Sequence, residues 1–140
     1  MTRPAVALVL LALLSTVTHG AGSSAPYGMG GYFTGYDPIV ARFNRSGELF
    51  RIEGRCQSAC TLFLGIRNVC VERSASLGFH GGRGGKGEIS VSSTRHMRAA
   101  YNERLRRYLD EHHGMEKRQY FTISGQDMLE KFGYRECSPR

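Results

Sequence analysis

Ser58 and His80 are the residues whose type and setting suit covalent chemistry. Both lie in one stretch, Gly54 to His80, which reads GRCQSACTLFLGIRNVCVERSASLGFH. Ser58 falls in a turn just ahead of the apolar run Ala59–Leu64. Its hydroxyl would stand at a helix start, where backbone N–H groups lack partners and the dipole favours negative charge. His80 closes a later apolar segment, and Gly30-Gly31 lies upstream. Glycines there let backbone approach a carbonyl oxygen closely, and small Ala59 leaves room for a substrate. A nucleophile, a general base and oxyanion-holding amides are the parts that acyl transfer needs. The same residues have plainer uses: a serine capping a turn and a strand-end histidine bonded to backbone.

Other chemistries fit less well. Cys60, paired with a histidine, is a rival nucleophile, but two residues past Ser58 it would point into the helix. Cys56, Cys60, Cys70 and Cys137 are the four cysteines. Their Cys-x3-Cys start is loose for zinc spacing. His112-His113 at a helix end suits dipole stabilisation, with metal binding as the alternative. The loop GGRGGKG, residues 81–87, lacks the GxxxxGK[ST] pattern and is followed by EISVSS rather than a helix, so it reads as a mobile loop or lid. No metal and no cofactor are implied.

The elements that must position these residues read as α/β. Residues 21–35 are Gly/Ser-rich and read as loop. Asp37-Pro38 looks like an N-cap followed by proline at the first helical position, with Ile39, Val40 and Phe43 on one face and Ser46-Gly47 as the stop. Glu48–Glu53 reads as a strand, Gly54–Ser58 as a turn and Ala59–Leu64 as a buried helix. Val69–Glu72 and Ser76–His80 read as short strands split by Arg73-Ser74. This alternation predicts a largely parallel sheet with flanking helices. The clearest helix runs Thr94–His113, with Met97, Tyr101, Leu105, Tyr108, Leu109 and His112 on one face. Ser93 or Thr94 caps it, Gly114 stops it, and Arg95, Arg98, Arg106 and Arg107 face outward. Ser124–Phe132 is a short capped helix stopped by Gly133.

Residues 1–20 read as a secretory signal, with Arg3 in the n-region, Ala5–Val17 as the apolar stretch and cleavage after Gly20. The mature chain, residues 21–140, is then one domain in the periplasm or outside the cell. In that setting four cysteines suggest two disulfides, with three pairings open. Asn44-Arg45-Ser46 is a glycosylation sequon if the secretory route is eukaryotic. The formal charge is +7, less one when Arg3 is removed. The arginines are dispersed and lack an interleaved aromatic platform, so no nucleic-acid partner is expected. A basic helix docking on an anionic envelope polymer or lipid is a weaker reading, with salt sensitivity as its signature.

Four pieces occur in the order that they take in the Clp protease proteolytic subunit, and the chain resembles that ClpP/crotonase-like superfamily over most of residues 28–137. They are Gly30-Gly31, the turn Gly54-Arg55-Cys56-Gln57-Ser58-Ala59, the strand Ser76-Leu77-Gly78-Phe79-His80, and a long helix followed by the short helix Ser124 to Gly133. It is more similar still to small exported proteins of that superfamily with S-A-C-T and G-F-H, here Ser58-Ala59-Cys60-Thr61 and Gly78-Phe79-His80.

The resemblance implies one ClpP/crotonase-like domain, trimmed at its N-terminus. It implies Ser58 as nucleophile, His80 as base, and the amides of Gly31 and Ala59 as oxyanion hole. The family's acidic third member aligns with Gln119, which can accept a hydrogen bond from His80 but cannot stabilise an imidazolium as a carboxylate does. Glu116, Asp127, Asp110 and Glu111 lack the expected spacing. The family's rings and trimers make a homo-oligomer one expected assembly, with a sheet edge for a copy to cover. An exported protein has no ATP, so no ATP-dependent unfoldase is expected. Two functions follow: an exported serine hydrolase, peptidase-like, acting on a peptide or small molecule; or an inactive relative, a disulfide-stapled envelope binding module.

Overall fold

The computed structural model describes residues 21–140. The expected signal segment, residues 1–20, lies outside the described residues. The chain is mixed α/β. Its strands are β1 (Gly22–Ser23), β2 (Phe50–Ile52), β3 (Arg55–Gln57), β4 (Val69–Val71), β5 (Ser76–Phe79) and β6 (Phe121–Ser124). They form two three-stranded sheets, ordered β1-β2-β4 and β3-β5-β6. All pairings are parallel except β5 with β6, which is antiparallel. The largely parallel character is therefore present, but in two sheets rather than the one expected.

The division arises because the chain changes sheet three times, returning from β3 to β4 through the segment 58–68. It leaves β2 for β3 through Glu53-Gly54, where Gly54 takes φ 59°, and β4 for β5 through residues 72–75. The expected turn at 54–58 is therefore mostly strand β3, and β1 and β6 arise in segments without a strand assignment. β1 is held by the Gly22 and Ser24 amides donating to the carbonyls of Leu49 and Arg51. The second sheet sets Cys56 beside Leu77 and Gln57 beside Gly78. This register brings the end of β3, and Ser58 after it, alongside the end of β5, and His80 after it.

Helix α1 (Asp37–Ser46) has Pro38 in its first turn and ends at Gly47, φ 71°. Asp37 is its first helical residue rather than its cap, and its carboxylate meets His96. Phe43 is buried edge-on against Phe50, ring centroids 4.9 Å apart. Ser58–Gly65 is a 3-10 helix rather than an α-helix, with Ala59 to Leu64 buried throughout. Thr61 Oγ1 donates to the Ser58 carbonyl and accepts from the buried Tyr101 hydroxyl, at 2.7 and 2.6 Å.

That second contact helps explain the principal departure from expectation. The helix predicted over Thr94–His113 is two helices, α2 (Val91–Ala99) and α3 (Glu103–Glu111). Tyr101 turns into the core at the break, and Asn102 caps α3 by accepting from the Leu105 amide. Asn102 is held by donating to the Phe132 carbonyl and to the Tyr134 hydroxyl. α2 starts earlier than expected because Ser90, not Ser93 or Thr94, is its cap. Arg98 is not simply outward: it pairs with Asp110 of α3 across the break. Helix α4 (Gly125–Glu130) is capped by Ser124. The disulfides are Cys56–Cys60 and Cys70–Cys137. No helix among the described residues is long and apolar enough to cross a membrane.

Candidate active site

β3 delivers Ser58 into a turn of unusual backbone. Ser58 has φ 55°, one of two non-glycine residues with positive φ among those described. A left-handed residue there costs of order 1–3 kcal/mol and persists only where its surroundings fix it. Three supports are visible. Cys56 and Cys60 are joined across Ser58, Thr61 holds the Ser58 carbonyl, and the Gly28–Gly31 loop packs against the serine itself. The last support is anchored by the Gln57 amide donating to the Gly28 carbonyl at 2.9 Å.

β5 delivers His80 to the same point. His80 Nε2 lies 2.8 Å from Ser58 Oγ, and the histidine is 3% exposed. Tyr120 meets the imidazole edge-on, with centroids 5.2 Å apart. Burial holds the imidazole pKa below its ordinary value, and the Arg83 charge pushes it the same way. The Gly81 backbone opposes them. The imidazole is therefore neutral at neutral pH, a state in which Nε2 is able to accept a proton from the serine.

Behind the ring the arrangement is incomplete. His80 Nδ1 is buried without a hydrogen-bond partner. Gln119, expected there, is exposed and does not reach it. The acidic neighbours are engaged elsewhere or exposed: Glu116 with His113, Asp127 with Lys131, Asp110 with Arg98, and Glu111 exposed. The physical reason is the run 112–120. It passes after α3 as an irregular strap, buried at Gly114 and Met115 but exposed over 116–120, and re-enters the sheet only at β6, so position 119 faces solvent.

The amides expected to hold an oxyanion lie beside the serine. Ala59 is in the first turn of the 3-10 helix, where N–H groups have no intrahelical acceptor. Among the described residues the Gly31 amide makes no hydrogen bond, whereas the Gly30 amide donates to the Tyr27 carbonyl. The two glycines have different requirements. Gly30 has φ 78°, and a Cβ there would lie 2.6 Å from Ser58 Cβ. A Cβ on Gly31 would meet only Tyr36, at 3.6 Å. Gly30→Ala is accordingly expected to cost about 1–2 kcal/mol from the left-handed backbone alone and to displace Ser58. Gly31→Ala is expected to be near neutral in stability. Urea unfolding of both variants checks this; equal midpoints would overturn it.

Ser58 and His80 open into a pocket of about 500 Å³ that also takes in Met29, Gly31, Arg83 and Tyr120. Arg83 and Tyr120 were not among the expected site residues. Arg83 lies in a glycine-rich loop that shows no periodicity, and Tyr120 comes just ahead of β6. That loop is not free: Gly82 donates to Thr94 Oγ1, Ser90 to the Gly82 carbonyl, and Ser93 Oγ to the Arg83 carbonyl. These bonds anchor the loop at Gly82 and Arg83, while Gly85 and Gly87 at its tip meet open space.

Cys60 is oxidised and cannot serve as nucleophile in this state. His112 and His113 contact the Tyr108 carbonyl and Glu116, and the described residues hold no cluster of three potential metal ligands. Asn44 donates its side-chain amide to the Gly65 carbonyl, so the sequon nitrogen is already engaged. Comparison with protein-family models, with curated proteins and with solved structures finds no match for this chain, so the chemistry of the site is argued from its own geometry.

Proposed function

We propose that the chain is an exported serine hydrolase, peptidase-like, built on a ClpP/crotonase-like core and working through a Ser58–His80 dyad. The observation that carries this reading is a left-handed serine at a strand-to-helix turn with its Oγ 2.8 Å from the buried His80 Nε2. Serine nucleophiles of other folds sit on similarly strained turns, which expose Oγ and aim the following amide at the oxyanion. In the proposed reaction Ser58 Oγ attacks the carbonyl carbon as its proton passes to His80 Nε2. The amides of Gly31 and Ala59 hold the oxyanion. His80 then protonates the leaving group, and water, deprotonated by the same imidazole, releases the acyl group from Ser58. Two disulfides, and the lack of a membrane-length apolar helix among the described residues, are compatible with export.

The buried, partnerless Nδ1 of His80 favours a second reading, an inactive binding module. A fluorophosphonate probe separates the two. The oxidised mature protein is labelled and the adduct mapped by peptide mass. The dyad predicts one adduct, on Ser58, absent from Ser58→Ala. A folded protein that takes no label, or takes it elsewhere, overturns the hydrolase reading in favour of the binding module.

A further inference from the structure

The Ser58 pocket is electrostatically lopsided. Arg83 is the one charged side chain in its lining, the His80 imidazole being neutral, and no carboxylate lines it. Elsewhere the arginines commonly find acids: Arg51 pairs with Glu72, Arg73 with Glu130 and Glu136, Arg107 with Glu103, and Arg140 with Glu53. Arg83 differs. Among the described residues its guanidinium has no ion pair and no hydrogen bond, while its backbone is fixed by Ser93. Its charge is close enough to His80 to disfavour the imidazolium. An unpaired guanidinium in the lining of a pocket that holds a nucleophile is a fork suited to a carboxylate.

The apolar surroundings add a second feature. Met29, Tyr32 and Tyr120 are exposed large apolar side chains, and all three line this pocket. Ile89, also exposed, lies against Gly81 next to His80. Exposed apolar side chains gathered around one cleft mark a surface that a ligand covers.

Building on the hydrolase reading, we propose that the substrate carries a carboxylate near the bond attacked, bound by Arg83, and an apolar group placed against Met29 and Tyr120. Two sources share this chemistry, the free C-terminus of a peptide and an acidic side chain. A bound carboxylate would also neutralise the charge that weakens His80 as a base. Substrate binding would thereby supply part of what a third catalytic carboxylate supplies elsewhere.

The test uses two p-nitrophenyl esters of matched size, the glutarate monoester and the valerate. The wild-type protein is expected to favour the carboxylate ester in kcat/KM by about tenfold or more, the scale of a hydrogen bond to a charged group. Arg83→Gln should bring that ratio to near one, and Arg83→Lys should restore part of it. A wild-type ratio of one or less, or a ratio unchanged in Arg83→Gln, overturns the proposal. Fluorophosphonate labelling of Ser58 reports separately on the dyad. Should labelling and turnover both be missing, the hydrolase reading falls, and binding decides the carboxylate claim. Tripeptides ending in a free acid or an amide, and carrying Glu or Gln, are titrated into wild type and Arg83→Gln. Tighter binding of an acid, lost in Arg83→Gln, supports the claim and identifies the source; equal binding of all four overturns it.

Discussion

His80→Ala is expected to slow fluorophosphonate labelling of Ser58 by about 10²–10⁴-fold, the range that a positioned general base contributes. In the proposed dyad Nε2, 2.8 Å from Ser58 Oγ, is the acceptor, and no other described histidine can replace it. His96 is paired with Asp37 and stacked on Phe33; His112 and His113 are exposed and contact the Tyr108 carbonyl and Glu116. Because His80 is buried, the alanine leaves a cavity. His80→Gln, which fills more of the space without a usable base, distinguishes lost chemistry from lost packing. Both variants should lose labelling while keeping the wild-type circular dichroism. A loss below about tenfold in a folded His80→Gln protein would remove His80 from the base role, since ordinary general-base contributions exceed that.

The same residue sets the pH dependence. Burial first, then Arg83, hold the His80 pKa below the ordinary 6.5, against a smaller opposing effect of the Gly81 backbone. The base is the neutral form, so labelling should be flat through neutral pH and fall along an acid limb centred below 6.5. An acid limb centred above 6.5 would contradict the arrangement. Stability follows the same sign. The unfolded chain takes up the His80 proton at about 6.5 and the folded chain only at lower pH, so the unfolded state binds more protons in that interval. This contribution to stability is complete above about pH 6.5 and declines as pH falls toward the folded value.

The site was more legible in the sequence than the fold that holds it. Ser58 and His80 were visible because each ends a local pattern, a turn before an apolar run and the close of an apolar strand. Their 2.8 Å contact depends on the register that sets Gln57 beside Gly78, a property of two strands distant in sequence. The periodicity from Met97 to His112 gave no sign of the break, because the groups that stabilise it are remote: Thr61 bonded to Tyr101, and Phe132 and Tyr134 bonded to Asn102. A pair of glycines looked equivalent, yet only Gly30 needs a left-handed backbone and contact with Ser58. Arg83 could not be singled out because its distinguishing property is a place in the lining of the Ser58 pocket, and that is fixed by tertiary structure. Gln119 failed for a related reason. Alignment by spacing put it behind the imidazole, whereas the irregular strap before β6 puts it in solvent.

Removing Cys70–Cys137 is expected to destabilise the protein by about 4 kcal/mol, and removing Cys56–Cys60 by about 2 kcal/mol, by the chain entropy of loops with separations of 67 and 4. The longer bridge ties the C-terminal segment along the first sheet. There Val71 donates to the Arg135 carbonyl, the Cys137 amide donates to Val71, and Arg51 reaches the Ser138 carbonyl. None of these groups touches Ser58. A Cys70→Ser, Cys137→Ser double variant should therefore melt about 15 °C lower and, wherever it remains folded, label Ser58 at nearly the wild-type rate. The short bridge has the opposite profile. It closes the turn whose central residue is held at φ 55°. Without it the serine can relax by the 1–3 kcal/mol that such a backbone costs. Cys56→Ala, Cys60→Ala should accordingly lose less stability but about tenfold or more in labelling rate, since 1.4 kcal/mol of lost preorganisation corresponds to that factor. Melting curves and labelling rates on the two double variants give four numbers, and the crossing of the two orders is the result that matters. If both variants lose stability and reactivity in proportion, the bridge across Ser58 is a staple like the other, and the strained turn is maintained by Gly30 and Thr61 alone.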